Sequence, residues 1–140
     1  MNYKVIYFTR TGNSRRVAEK IADKLSLQAI EITDNMSWQG ISGFIRGGYY
    51  ASRNKDVEIK IPDNLDGSEE LIVVTPLWAG KAAPAVSTLL KTKALEKVHL
   101  VVTSGGTIIK DRSGYKSVWD IVKKNNDEDV VISDFVNTLV

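Results

Sequence analysis

The stretch 3-YKVIYFTRTGNS-14 passes from a short apolar run into a polar loop that contains one glycine. The run from Tyr3 to Phe8 is nearly continuous, which is typical of a strand that is covered on both faces. From Ser14 onward, apolar residues recur at spacings of three and four, and this period predicts an amphipathic helix with the buried face Val17, Ala18, Ile21, Ala22 and Leu25. The stretch therefore predicts a buried strand, a loop and a helix in direct succession.

Further segments repeat this alternation along the chain. Two apolar runs rich in β-branched residues, Leu71 to Thr75 and Val98 to Thr103, predict buried strands, and Leu27 to Ile32 predicts another. A helix is predicted to begin near Pro84, since proline suits the first turn. Strands that alternate with helices form a parallel sheet with right-handed crossovers. The predicted fold class is α/β, a three-layer, doubly wound parallel sheet.

Composition narrows the class of protein. A chain of 140 residues with 43% hydrophobic content predicts a single domain over residues 1–140, and zero cysteines exclude disulfides, thiolate nucleophiles and iron–sulfur ligation. A net charge of +2 with no basic block longer than two residues argues against nucleic-acid binding. The apolar runs are far shorter than the ~20 residues of a membrane span, and no signal peptide is recognisable, so no membrane association and a cytoplasmic location are expected.

Two segments are ambiguous. Residues 37–54 predict a helix weakened by glycines, and the Gly43 to Gly47 spacing indicates local close packing with no functional role. The motif "VVISDF" at 130–135 predicts a fifth strand, which would leave the last helix short or absent, leave part of the sheet uncovered and favour a weak homodimer. In the alternative, Asn126 caps a helix in which Val131, Phe135 and Leu139 share one face.

Three predicted strands end in polar or glycine-rich loops, "TRTGNS" at 9–14, "TPLWAGK" at 75–81 and "TSGGT" at 103–107. Ligands of open α/β sheets bind beyond the carboxyl ends of the strands. The first loop enters a helix N-terminus, where free N–H groups and the helix dipole favour an anion, and this predicts a phosphate cradle. In the alternative, Asn13 or Ser14 simply caps the helix and Gly12 makes the turn.

The first loop resembles the phosphate loop of the flavodoxin family, Thr-x-Thr-Gly-Asn-Thr/Ser, and it matches that motif at every position from Thr9 to Ser14. The segments "TPLWAGKAAPAV" and "VVTSGG" look like the second and third flavin loops of the family. The resemblance implies strand order 2-1-3-4-5 and FMN as cofactor. It also implies a cofactor-binding set drawn from all three loops: Thr9, Arg10, Thr11, Gly12, Asn13, Ser14, Thr75, Pro76, Leu77, Trp78, Ala79, Gly80, Thr103, Ser104, Gly105 and Gly106.

The resemblance also implies roles within this set. Asn13 and Ser14 are the best candidates for holding the phosphate, and Trp78 for packing on the isoalloxazine ring. The peptides around Ala79 and Gly80 correspond to the segment that faces flavin N5, and the order Ala-Gly leaves open which peptide turns. Backbone donors of residues 104–106 would face the pyrimidine edge. Unlike the loop of the family, the third loop holds no aromatic residue to cover the second face of the ring, and Tyr115 or Trp119 is the candidate for that place.

These inferences predict an FMN-binding electron-transfer protein that shuttles electrons between redox partner proteins. The alternative is a small FMN-dependent reductase of quinones or similar acceptors, so whether the chain is an enzyme stays open. No catalytic residue and no metal site are predicted. The single histidine, His99, begins a buried strand, where a core or spacing role is the more frequent one.

Charge separates this chain from most flavodoxins, which are strongly acidic. Four cations lie in or beside the candidate loops: Arg10, Arg15, Arg16 and Lys81. Positive charge near the flavin stabilises its reduced anion, so a less negative reduction potential and an acidic partner are expected.

Overall fold

A computed structural model describes residues 2–63, 65 and 67–140 of the chain. Within these residues, five parallel strands form a sheet in the order β2-β1-β5-β7-β8, and β6 pairs antiparallel with the end of β5. The strands are β1 (Tyr3–Tyr7), β2 (Ala29–Glu31), β5 (Glu70–Trp78), β6 (Lys81–Ala82), β7 (Val98–Ser104) and β8 (Ser117–Val122), and a separate ribbon joins β3 (Thr33–Asp34) to β4 (Ile59–Lys60). Counting the five parallel strands alone, the predicted order 2-1-3-4-5 is confirmed.

Helices cover both faces of the sheet. The helices are α1 (Asn13–Lys24), α2 (Gly40–Ser52), α3 (Pro84–Leu90) and α4 (Glu128–Leu139). On one face, Val5 and Val74 pack with α1 and α4, while on the other Ile6 and Val73 pack with α3. Adjacent strand residues are buried on opposite faces because side chains alternate along a strand, which explains the continuous apolar runs of β1 and β5.

The C-terminal strand prediction is wrong. Residues 130–135 lie in α4, a helix of 12 residues whose buried face is Ile132, Phe135 and Val136. Their spacing of three and four matches the helical period, so β-branched content misled the strand interpretation. The fifth strand is instead β8, which pairs in parallel with β7. The last helix is therefore neither short nor absent, and it packs on the part of the sheet whose expected exposure led to the homodimer prediction. The homodimer itself stays a prediction.

A buried polar network lies at the amino ends of the strands, away from the candidate loops. His99 is 4% exposed, and its Nε2 and Nδ1 lie 2.8 Å from Glu70 Oε1 and 2.7 Å from Ser117 Oγ. Lys116 donates to the second Glu70 oxygen. Burial raises the pKa of Glu70, but the hydrogen bonds from Lys116 and His99 outweigh it and the pKa is lowered. The network joins β5, β7 and β8 and accounts for the only histidine as a core residue.

Two kinds of feature are absent from the described residues. No helix there combines the length and apolar character that a membrane crossing requires. In the same residues, no group of three or more His, Asp or Glu side chains has the arrangement of a metal site.

Ion pairs tie the start of α4 to α1. Glu128 accepts hydrogen bonds from Arg16 Nη2 at 2.7 Å and from Lys20 Nζ at 2.8 Å. The hydrogen bond from Arg16 is the main cause that lowers the pKa of Glu128 to about 2. The ionised carboxylate therefore contributes to the position of the helix that the sequence left in doubt.

Glu128→Gln should make this contribution measurable. Because the folded pKa is lowered, the stabilisation is complete above the unfolded pKa of about 4.3 and is lost as pH falls through about 2. We expect the variant to be roughly 1 kcal/mol less stable at neutral pH, discounted for solvent screening of the partly exposed cations. Urea denaturation from neutral to acid pH should show the difference shrink. A difference that does not depend on pH would contradict this origin, and Asp129→Asn, at an 83% exposed side chain, is the weaker control.

Candidate cofactor site

A cavity of about 820 Å³ lies across the carboxyl ends of β1, β5 and β7. All three predicted loops line it, through Thr9, Arg10, Thr11, Asn13, Ser14, Pro76, Leu77, Trp78, Ala79, Thr103, Ser104 and Gly105. The four other predicted residues, Gly12, Thr75, Gly80 and Gly106, belong to the same loops but do not line the cavity. The sheet topology thus brings together segments that are far apart in sequence, as expected at a switch point of strand order.

The first loop leaves β1 and turns into α1 through Gly12. Gly12 has a left-handed backbone with φ of 99°, and its N–H donates to Thr9 Oγ1 at 2.9 Å. Within the described chain no side chain caps α1, and its first turn holds no acidic residue. The alternative that Asn13 or Ser14 serves as the cap is therefore wrong. The first N–H groups of α1 remain as donors at the cavity wall.

The two side chains predicted to hold a phosphate are differently placed. Ser14 is 1% exposed, and its Oγ lies 2.9 Å from Thr103 Oγ1, so this pair joins the first loop to the third. One hydroxyl donates to the other, and the accepting hydroxyl keeps its own proton for another partner. Asn13 is exposed, and its Oδ1 accepts from Arg16 Nη1 at 2.9 Å. Ser14 thus has a structural role that its place in the motif did not reveal.

The second loop is a two-residue hairpin between β5 and β6. Ala79 and Gly80 have φ of 51° and 78°, and Trp78 pairs with Lys81 across the turn. Two successive left-handed residues are the signature of a type I′ turn. Ala79 occupies a backbone region that costs roughly 1 kcal/mol for a residue with a Cβ atom. Thr75 anchors the loop from the core, where its Oγ1 accepts from Ala83 N at 3.0 Å.

Trp78 combines a core contact with a place on the cavity wall. Its ring packs edge-on against Phe8 and Trp38, at centroid distances of 5.7 and 5.3 Å. The side chain is partly buried and also lines the cavity. The ligand role and the core role that the sequence offered as alternatives are therefore compatible at one residue.

Residues 37–54 were predicted to have no functional role, yet α2 forms a wall of the cavity through Gly43, Phe44, Gly47 and Gly48. Close packing is confirmed at the two glycines with the predicted spacing. A Cβ on Gly43 would lie 2.1 Å from the carbonyl carbon of Trp38, and one on Gly47 would lie 2.9 Å from Trp78 ring atoms. A glycine pair on one helix face was the available signal, but nothing in the sequence indicated which loop the helix approaches.

Arg10 links the first loop to the start of α2. Its Nε donates to the Trp38 carbonyl oxygen and its Nη2 to that of Gly40 at 3.3 Å. The guanidinium carbon also lies 6.0 Å from the ring centroid of Phe44, within cation–π range. Arg10 therefore both positions α2 and carries a positive charge at the rim of the cavity.

The third loop and the start of α4 complete the far end of the cavity. Asp120 holds the segment that follows the third loop, since its Oδ1 accepts from Ile109 N at 3.0 Å and its Oδ2 pairs with Arg112 Nη1 at 2.5 Å. Neither Tyr115 nor Trp119 lines the cavity, so neither is placed to cover a ligand ring. Trp119 instead packs against Phe135 on α4, at a centroid distance of 5.4 Å. The α4 end of the wall also includes Arg16, Lys20, Ile121, Val122, Lys123 and residues 126–130.

Comparison with known sequences gives one distant relative. No family model matches the chain. An uncharacterized protein of Archaeoglobus fulgidus is 27% identical over 104 residues, which cover 71% of this chain and 64% of that protein. The chain thus spans less than two thirds of the length of this relative.

Comparison with solved structures shows the fold. A flavoprotein from Lactobacillus acidophilus NCFM in complex with FMN has a TM-score of 0.64 at 18% identity, covering 93% of this chain and 97% of that one. A protein from Bacteroides eggerthii that is described as a flavoprotein has a TM-score of 0.70 at 19% identity, covering 98% of this chain and 96% of that one. A similarly described protein from Bacteroides uniformis has a TM-score of 0.65 at 16% identity, covering 93% of this chain and 97% of that one. The predicted doubly wound, flavodoxin-like fold is confirmed.

Neighbouring glycines of α2 offer a test of how this wall is built. Alanine at either position gains up to about 1 kcal/mol of helix propensity. A Cβ on Gly48 meets no atom within 4 Å, whereas one on Gly47 meets the Trp78 ring at 2.9 Å. We expect Gly48→Ala to raise the free energy of unfolding, and Gly47→Ala to lower it by roughly 1 to 3 kcal/mol relative to Gly48→Ala through overpacking. Urea denaturation compares them, and equal stabilisation would show that Trp78 does not confine α2.

Proposed function

We propose that the chain is an FMN-binding electron-transfer protein. The observation that carries the proposal is the uncapped N-terminus of α1, which opens on the same cavity as Trp78. A phosphate and a flat apolar ring are the two parts of FMN that need such opposite surroundings. The fold shared with a flavoprotein crystallised in complex with FMN supports the same assignment.

The residues present fit this cofactor. The first N–H groups of α1 and the hydroxyl of Thr11 would bind the phosphate, because they combine donors with the positive end of a helix dipole. Leu77 and Trp78 would contact the ring, and the backbone of Ser104 and Gly105 would face its polar edge. FMN supplies reversible one- and two-electron chemistry when it is bound.

The distribution of acids in the cavity favours an electron carrier over a quinone reductase. Reduction of a quinone consumes protons, and an enzyme for it benefits from a nearby proton donor. Among the described lining residues, the carboxylates all come from positions 127–129, at the end opposite Trp78 and α2. Steady-state oxidation of NAD(P)H with a quinone is the discriminating assay. A carrier should give almost no turnover unless a separate reductase is added.

Asn13→Asp tests the phosphate site separately from folding. The substitution is nearly isosteric, can still accept from Arg16, and places a negative charge in the first turn of α1, where it favours the helix. The same charge repels a phosphate, so we expect FMN affinity to fall at least about tenfold while riboflavin affinity changes little. Titration of the intrinsic fluorescence with both ligands measures this.

Two controls accompany this test. Asn13→Ala removes the amide without adding charge and should weaken FMN less. Thermal unfolding of the apoprotein should show that Asn13→Asp is at least as stable as the unmodified chain. Equal loss of FMN and riboflavin, or protein that binds neither, would contradict a phosphate cradle at α1.

Arg10 offers a test of the electrostatic expectation. Arg15 Nε lies 3.7 Å from Glu19 Oε1 and Arg16 Nη2 lies 2.7 Å from Glu128 Oε1, so carboxylates offset both charges. Arg10 contacts carbonyl groups instead. One charge at ~10 Å and an effective dielectric of about 20 is worth about 1 to 2 kcal/mol, or roughly 40 to 90 mV for one electron before salt screening. Arg10→Gln should lower the potential of the second reduction step of bound FMN, as measured by potentiometric titration.

Arg10→Lys separates charge from position, because lysine keeps the charge but cannot bridge two carbonyl groups in the manner of a guanidinium. A charge effect predicts that the potential of the lysine variant stays near that of the unmodified protein. If both variants shift the potential equally, the contacts to α2 matter and the electrostatic explanation fails.

A further inference from the structure

The outer face of α2 is an exposed apolar surface. Ile41, Phe44, Ile45 and Tyr49 are 82%, 71%, 64% and 46% exposed. The last three follow Ile41 by three, four and eight residues, which places all four on one side of the helix. The opposite side, which packs inward, carries Gly43, Gly47 and Ala51. The helix therefore directs its small residues to the core and its large apolar residues to solvent. Folding of the described residues gives no reason for this arrangement, which is typical of an interaction surface.

Positive charge surrounds this surface. Residues 35–55 contain no Asp or Glu and three cations, Arg46, Arg53 and Lys55. Arg53 Cζ and Lys55 Nζ lie 5.7 and 5.2 Å from the ring centroid of Tyr49. Arg46 Nη1 donates to the Ser37 carbonyl oxygen at 2.9 Å. Within the described residues, none of the three forms an ion pair with a carboxylate. A partner's carboxylates would therefore meet cations whose charge is still available.

The α2 surface, defined by Ile41, Phe44, Ile45 and Tyr49, also reaches the cavity. Phe44 belongs both to this surface and to the cavity wall, next to the wall formed by Trp78. A protein bound on α2 would therefore cover the cavity mouth close to the proposed flavin ring. Position, apolar character and charge thus coincide at α2 and the residues that directly follow it.

We infer that the α2 surface docks an acidic redox protein that exchanges electrons with the bound cofactor, an inference that rests on the proposed function. In the forward direction, reduced FMN would lose one electron and the redox group of the partner would gain that electron, so the flavin is oxidised and the partner reduced by one electron each; a proton released from the flavin would pass to water. An apolar centre ringed by complementary charge suits a transient complex, in which steering sets the rate of association.

Two other occupants fit less well. An anionic lipid surface laid across the cavity would meet acids at residues 127–129 on the α4 side, whereas a protein can present carboxylates to α2 alone. A second copy docked α2 to α2 would bring two sets of the same cations, Arg46, Arg53 and Lys55, to one interface to which residues 35–55 contribute no carboxylate, and like charges are unfavourable at an interface. An acidic protein avoids both conflicts.

The test uses holoprotein that has been reduced photochemically and is mixed with one of two haem proteins in a stopped-flow instrument. One probe is the acidic soluble domain of cytochrome b5, and the other is basic mitochondrial cytochrome c. We expect the second-order rate constant at low salt to be higher for cytochrome b5 after correction for driving force, and to fall as salt is raised. A faster corrected reaction with cytochrome c would overturn the inference.

Matched variants locate the surface. Arg46→Glu and Lys97→Glu change the net charge equally, but Lys97 lies at the amino end of β7, away from the cavity. Arg46→Glu should lower the cytochrome b5 rate constant about fivefold or more at low salt, and Lys97→Glu less than twofold. The double variant Ile41→Ser with Ile45→Ser should also lower it, while Val140→Ser, at the 90% exposed C-terminus, should not. Equal effects of the paired variants would exclude docking on α2.

A second experiment measures binding to the α2 surface without the cofactor. Chemical shifts of the apoprotein should change along α2 on titration with cytochrome b5, whether or not FMN binds. Failure to bind FMN would then reject the proposed function, whereas absence of shifts on α2 would reject the docking surface. Two outcomes would assign the surface to another occupant and overturn the inference. One is a dimer in sedimentation that the double variant Ile41→Ser with Ile45→Ser abolishes. The other is binding to phosphatidylserine vesicles that Arg46→Glu abolishes.

Discussion

The turn at Gly12 is the constraint on which the candidate site depends. Its φ of 99° lets the chain leave β1 and enter α1 with no side chain at the capping position. A residue with a Cβ atom is strained in this region, and the usual capping residues would bring their own acceptor to the first N–H groups. The turn thus leaves the helix end unsatisfied where the cavity begins. The Ser14 and Thr103 hydroxyls hold that end against the third loop.

A second constraint acts from the opposite side of the cavity, where α2 lies against two tryptophans. The helix approaches so closely that Gly43 and Gly47 have no room for a side chain. Small residues must therefore face inward, but this close approach does not require large apolar residues on the outer face. The cavity wall and the exposed surface of α2 thus belong to one helix that is confined from its inner side. Arg10 couples both to the first loop through the carbonyl groups at the start of α2.

The sequence was sufficient to predict the strands that are buried on both faces and the loops whose local geometry is strict. The strands β1, β5 and β7 are covered on both faces, so they read as continuous apolar runs, and their loops could be placed at one edge of the sheet. It was insufficient for β8, an edge strand interrupted by Asp120, and for α4, whose Val130, Val131 and Ile132 favour a strand locally. The contacts that settle α4 join Glu128 to Arg16 and Lys20, more than 100 residues away. The role of α2 in the site could not be predicted either. The glycine spacing indicates that other residues pack closely against the helix, but it does not indicate which residues these are.

Charge at the cavity shows why composition alone misjudges electrostatics. A net charge of +2 and four cations in or beside the candidate loops predicted positive charge near the cofactor and an acidic partner. The structure separates this charge into two ends. Glu128 offsets Arg16 and Lys20 beside α1, while Arg10, the α2 residue Arg46 and the cations that follow α2 have carbonyl or aromatic partners. Paired charges contribute little at a distance, whereas cations without carboxylate partners generate a field that reaches about a Debye length into solvent. The field at the cavity mouth is therefore directional, positive on the α2 side, and it is the arrangement of charge rather than its sum that determines which surface a charged partner approaches.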